Sequence, residues 1–242
     1  MIRFHDLLGN DPLTGFSIKS YIGGSPTLFN ASGDNTNFVY ELINFNGNMN
    51  SINSINSRGK YRDRVKKLYS NGVQMKFTGV KSADATFINN LDLFDDQIKF
   101  ILAEMIKAYY SGNGRHISEI SDFLIINNPM KLYFESFSPS YYKFKIKNFL
   151  LNSALGMTAA KPWKGTGEVN GGFIAAKHDG ELACFPVRNF DELKEYLFKS
   201  TFFDTPSSGR HEFGVVERIN EKYYMTLNFQ IRSSDSLSTN TP

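Results

Sequence analysis

Cysteine is nearly absent: Cys184 is the single one among 242 residues, so the chain can form neither an internal disulfide nor a cysteine-built metal site. That usage suits a reducing compartment. Cys184, set in the apolar-leaning run "ELACFPV", is expected to be a small buried hydrophobe. No apolar run approaches the roughly 20 residues that cross a bilayer, and "MIRFHDLLG" lacks the apolar core of a secretory signal. A cytoplasmic protein with no membrane partner is expected. The four histidines are too scattered for a zinc site, and the phosphate loop GxxxxGK(S/T), the metalloprotease HExxH and the esterase GxSxG do not occur. A net charge of +3 permits nucleic-acid binding without requiring it.

Aromatic residues, in contrast, are plentiful. With 22 Phe, 12 Tyr and a hydrophobic fraction of 41%, the chain has the material for a substantial core, and its length suits one large domain or two small ones. No linker marks a boundary, so a single domain over residues 1–232 is expected, followed by a disordered polar tail, 233–242.

The opening reads as a sheet, residues 1–46. "IRFH" and "GFSIKS" flank the turn-forming "DLLGNDPLT" as a β-hairpin. "TNFVYELINF" then alternates Phe38, Tyr40 and Leu42 against Val39, Glu41 and Ile43. A helical middle follows, 58–155. Tyr61, Val65 and Leu68 share one side of a helix closed by Asn71-Gly72. Ile98, Ile101, Leu102, Met105 and Tyr109 mark a stronger helix stopped by Gly112, and shorter helices cover 116–126 and 141–155. The C-terminal part, 170–232, returns to strands at "GFIAAK" and "ELACFPV", a helix at "FDELKEYLFKS", and a hairpin turning at Asn220-Glu221. The pattern predicts an α+β protein with a central mixed sheet flanked by helices.

Within the opening sheet, Lys19 stands between apolar neighbours in "GFSIKS". A lysine held near carboxylates positions water while the carboxylates bind a hard cation that neutralises charge on a phosphodiester. Glu41, on the next strand candidate, would face Lys19 if the two strands were adjacent, about 5 Å apart; otherwise both are solvated charges on a sheet surface.

These residues carry a resemblance. "GFSIKS-YIGGSPTLFNAS" followed by "TNFVYEL" resembles the signature of HpaII-type restriction endonucleases, and "ALGM", "PWKGTGE", "GGFIAAKHDGEL", "EYLFKSTFFDTPSSGRHEFG" and "KYYMTLNFQIR" are similar to the rest of that family's C-terminal portion. The resemblance implies a type II enzyme of a restriction-modification system that cuts a short, CCGG-like DNA site with Mg²⁺ on the PD-(D/E)XK framework. It further implies that Lys19 matches the motif lysine and that Ser17 stands where an acid is usual. The acid is then supplied from elsewhere: Glu41 is the first candidate and Asp34 the second. The remaining aspartate of the framework has no clear match. Antiparallel pairing places it at or before Met1, and Asp6 serves only with a bulge or a different register. The family's N-terminal portion is expected to be missing, which leaves a non-catalytic DNA-binding fragment or degenerate nuclease as the alternative, and an unrelated basic scaffold as a third reading.

Duplex DNA needs cations for phosphates and side chains for base edges. "SRGKYRDRVKKL" has six basic residues in twelve, so Arg58, Lys60, Arg62 and Arg64 either line DNA or form a solvated face. Trp163 and Lys164 in "PWKGTGE", and Arg210 and His211 in "TPSSGRHEFG", sit in loop-like stretches suited to recognition. Asn30 or Ser32 would cap a helix whose N–H groups meet a phosphate. A homodimer suits a palindromic site.

Overall fold

Alternation of apolar and polar residues in Asn37–Ile43 builds strand β3, whose Phe38, Tyr40 and Leu42 are buried while Val39, Glu41 and Ile43 are half-exposed, as the period of two requires. The structure, a computed structural model, describes residues 15–30, 36–81, 85–132, 138–167, 169–186, 189–206 and 213–235. Among the described residues the architecture is α+β, with strands in three sheets and helices packed against them.

The first sheet is mixed. Strand β1 (Phe16–Ser20) runs parallel to β5 (Gly172–Ala176), and β5 is antiparallel to β6 (Leu182–Pro186). Parallel neighbours need a long crossover, and here it contains the whole helical middle of the chain. Gly172 begins β5 at φ +138°, where an added Cβ would lie 2.2 Å from the Phe185 carbonyl oxygen; glycine allows the two backbones to pair that closely. The second sheet joins β2 (Thr27–Phe29), β10 (Ile231–Ser233) and β7 (Thr201–Phe203), all antiparallel. The third places β3 between β4 (Gln74–Lys81) and β9 (Lys222–Asn228), with β8 (Val216–Ile219) at the far edge.

The helices are α1 (Met49–Asn53), α2 (Lys60–Ser70), α3 (Thr86–Phe94), α4 (Ile98–Ser111), α5 (Ile117–Asn127), α6 (Ser138–Ala154) and α7 (Phe190–Ser200). The faces read from the sequence are the buried ones: Tyr61, Val65 and Leu68 on α2, and Ile98, Ile101, Leu102, Met105 and Tyr109 on α4. Gly112 ends α4 in the left-handed conformation, φ +88°, which an L side chain rarely adopts. The phenylalanine-rich composition finds its use where the sheets and helices meet: Phe29 lies 5.5–5.7 Å, ring to ring, from Phe87, Phe149 and Phe229. Such pairs add about 0.5–1.5 kcal/mol each beyond burial.

Several expectations need correction. The stretch Gln74–Lys81 is a strand inside the region read as helical, because Met75 and Phe77 alternate with Lys76 and Thr78 rather than recurring at helical spacing. Residues Thr27–Phe29 form a strand and Asn30 follows it exposed; the residues after Asn30, where the expected helix would begin, lie outside the described residues. Ser233 belongs to β10 instead of the tail and donates its N–H to the Pro26 carbonyl. Cys184 is exposed, since β6 turns Ala183 and Phe185 inward and Cys184 outward. The segment "IRFH", and with it the first hairpin, lies outside the described residues. No helix among those described is long and apolar enough to cross a membrane.

Candidate functional site

Alternation along β1 gives Lys19 its setting. Phe16, Ile18 and Ser20 point outward, whereas Ser17, Lys19 and the following Tyr21 point inward. On that face, the neighbouring strand supplies buried Phe173 beside Ser17 and Ala175 beside Lys19. Tyr196 of α7 closes over it, with its ring 4.8 Å from Phe185 and its hydroxyl 3.0 Å from that of Tyr21. Burial lowers the pKa of Lys19 from the usual lysine value. Its Nζ donates one hydrogen bond to the carbonyl of Thr27, at 2.9 Å. An ammonium has three N–H donors, so two are not engaged by the described residues and can meet a water or a phosphate oxygen.

Glu41 is placed elsewhere. Its strand belongs to the third sheet, where it pairs with Lys76 and Tyr224, and its carboxylate accepts an ion pair from Lys222 at 2.8 Å. The strand adjacency expected from sequence order fails because β2, the strand between them in the chain, enters a different sheet and β1 takes β5 as its neighbour. Asp6 and Asp34 lie outside the described residues. A magnesium ion asks for carboxylate oxygens. Among the described residues no group of three or more His, Cys, Asp or Glu side chains could hold a metal, and Lys19 makes no ion pair with a carboxylate. The described residues alone therefore do not fit the ion.

Basic residues of α2 separate into two kinds. Arg64 is buried at 6% exposure, and its guanidinium donates to the carbonyls of Asn53 at 2.6 Å, Ile55 at 3.0 Å and Gly214 at 2.7 Å. It ties α2 to the loop before β8 and has no face left for DNA, which corrects its reading as a DNA contact. Arg58 is exposed and Lys60 and Arg62 are half-exposed. The difference is helical geometry: Arg64 lies three residues from Tyr61 and four from Leu68, on the buried face, and Arg62 lies one residue off it.

Arg62 rests over the ring of Tyr109, with its guanidinium carbon 4.4 Å from the centroid. The Tyr109 hydroxyl is 2.9 Å from that of Thr205. Around this pair opens a cavity of about 420 Å³ lined by Arg58, Lys60, Arg62, Tyr109 and Thr205. Asp204, immediately before Thr205, accepts from Nε of Arg232 at 2.6 Å, and Arg232 also donates to the Ser25 carbonyl at 2.9 Å. Strands β2, β10 and β7 thus connect the Lys19 side of the molecule to the basic cavity. Tyr109 reads from sequence only as a core residue of α4, and Asp204, Thr205 and Arg232 fall within segments that carry the resemblance without standing out there as site residues. Only folding assembles them.

Trp163 is pinned within its own loop: its indole N–H donates to the Thr166 carbonyl at 2.9 Å and its ring packs 6.4 Å from Phe94. Lys164 beside it is exposed, as is Lys161 of the same loop. Ser32, Arg210 and His211 lie outside the described residues.

The family model of the HpaII restriction endonuclease matches residues 1–233. The chain is similar to a type II restriction enzyme, HpaII, from Haemophilus parainfluenzae, with 39% identity over 232 residues, which is 96% of this chain and 63% of that protein. It therefore spans less than two thirds of the relative's length. No solved structure matches. A match over nearly every described element, at that identity, places this chain in the HpaII restriction endonuclease family.

Proposed function

We propose that this chain is a type II site-specific deoxyribonuclease that hydrolyses phosphodiester bonds of double-stranded DNA with Mg²⁺, at a CCGG-like site, as a homodimer in the cytoplasm. Family membership over residues 1–233 carries the reading, and the setting of Lys19 agrees with it. A half-buried ammonium with two donors that no described residue engages orients an attacking water and stabilises charge on the phosphate oxygens. Ser17, on the same inward face two residues earlier, is a further polar group for the same phosphate or its water. Cleavage of mixed-sequence DNA with and without Mg²⁺, by the wild type and by Lys19→Ala, tests the proposal. Discrete metal-dependent fragments that vanish in the variant are expected.

A second reading, sequence-specific DNA binding without cutting, is favoured by one observation: the described residues bring no carboxylate to Lys19. Retained binding of a CCGG-containing duplex with no fragments at any Mg²⁺ concentration would decide for it.

A further inference from the structure

We infer that the cavity at the start of α2 is a seat for one backbone phosphate of duplex DNA, with Arg62 as its central ligand; the inference rests on the DNA-acting reading above and assigns this cavity its share of the binding. Three cations, Arg58, Lys60 and Arg62, converge on about 420 Å³ of space. Among the described residues none of the three forms an ion pair with a carboxylate. The nearest acid in sequence, Asp63, is engaged with the Ser57 hydroxyl. The cavity is thus positive, and its charge is not spent on a carboxylate of the described residues.

Its aromatic surfaces identify which part of DNA it receives. A base needs a free ring face for stacking. The face of Tyr109 is covered by Arg62 at 4.4 Å, and Tyr61 is stacked on Phe213 with centroids 4.2 Å apart. What the cavity presents instead is guanidinium and ammonium N–H groups together with the hydroxyls of Tyr109 and Thr205, all suited to phosphate oxygens. Tyr109 is itself fixed, with its ring against Phe203 at 5.1 Å and its hydroxyl on Thr205. It therefore acts as a positioning residue that holds the Arg62 fork in one plane, which favours two-pronged contact with a phosphate. Such a contact sets the register of the duplex and carries no sequence information.

The test is duplex binding in EDTA across a salt series, on a CCGG-containing duplex and on one lacking it, with thermal melting of every variant as the check on folding. Each phosphate contact adds about 0.9 to the slope of log affinity against log salt concentration. Arg62→Gln is expected to lower that slope by about 0.9 and to weaken both duplexes by the same factor, whereas Arg62→Lys, which keeps the charge, holds the slope. Lys194→Ala, at a cation paired with Asp191 on α7, serves as the distant control with an unchanged slope. Loss confined to the CCGG duplex would overturn the inference in favour of base contact. An unchanged slope in a folded Arg62→Gln protein would overturn it while leaving the DNA-acting reading in place. Absence of salt-dependent binding by the wild type would remove both.

Discussion

Lys19 donates from Nζ to the Thr27 carbonyl at 2.9 Å, a bond that joins β1 to a different sheet, the one leading through Arg232 and Asp204 to the basic cavity. It fixes the ammonium, and burial alone penalises its charge. Because the penalty acts in the folded state, it is present below the lowered pKa and disappears as pH rises toward the ordinary value of 10.5. Activity that needs the charged amine should therefore fall on an alkaline limb centred below 10.5. A pH profile of kcat/KM checks this, and a limb at or above that value would show that Lys19 is not the titrating group.

Glu41→Gln is expected to cut DNA as the wild type does, since Glu41 sits on the third sheet and its partner is Lys222. The Glu41 carboxylate raises the pKa of Lys222 through their hydrogen bond. The exposed position of Lys222 leaves the pair screened by solvent, so the melting temperature of the variant is expected to stay close to that of the wild type. Cleavage and melting of the single variant give the answer: loss of cutting with unchanged DNA binding would restore Glu41 to the catalytic group.

The contrast between Lys19 and Glu41 shows what was legible in the sequence. Periodicity reveals which face of an element is buried, so the inward residues of β3, α2 and α4 could be read directly. The same local signal identified the hairpin turn at Asn220-Glu221 and the stop at Gly112. Strand adjacency is not local: the neighbour of β1 lies about 150 residues on, and nothing near Lys19 announces it. Cavities are less legible still. Arg62, Tyr109 and Thr205 come from α2, α4 and the segment just after β7, and a basic run alone could not separate Arg62, which lines a cavity, from Arg64, which holds the fold.

Arg64→Ala should destabilise the protein by about 3 kcal/mol, because three carbonyls lose a charged donor in a buried setting. For a chain of this size that is a fall in Tm of roughly 6–12 °C. Below its own melting transition the variant should keep the wild-type salt slope for DNA, since Arg64 has no exposed face. A lowered slope with an unchanged Tm would transfer Arg64 to the DNA-binding group.

The turn between β8 and β9 offers a gain instead of a loss. Asn220 and Glu221 have φ of +46° and +66°, the pair of left-handed conformations that lets a two-residue turn follow the twist of its strands. Asparagine tolerates that conformation and glutamate pays for it, since its Cβ crowds the backbone by about 1 kcal/mol. Glycine has no Cβ, and the side chain removed at Glu221 makes only a 3.7 Å exposed contact with Arg218. Part of the relief is offset by the greater freedom of glycine in the unfolded chain. Glu221→Gly should therefore raise stability by up to about 0.5 kcal/mol, or Tm by up to about 2 °C, with cleavage and DNA binding unchanged. A fall in Tm would mean that the Arg218 contact outweighs the backbone strain, and Arg218→Ala in the same background would then lose its effect.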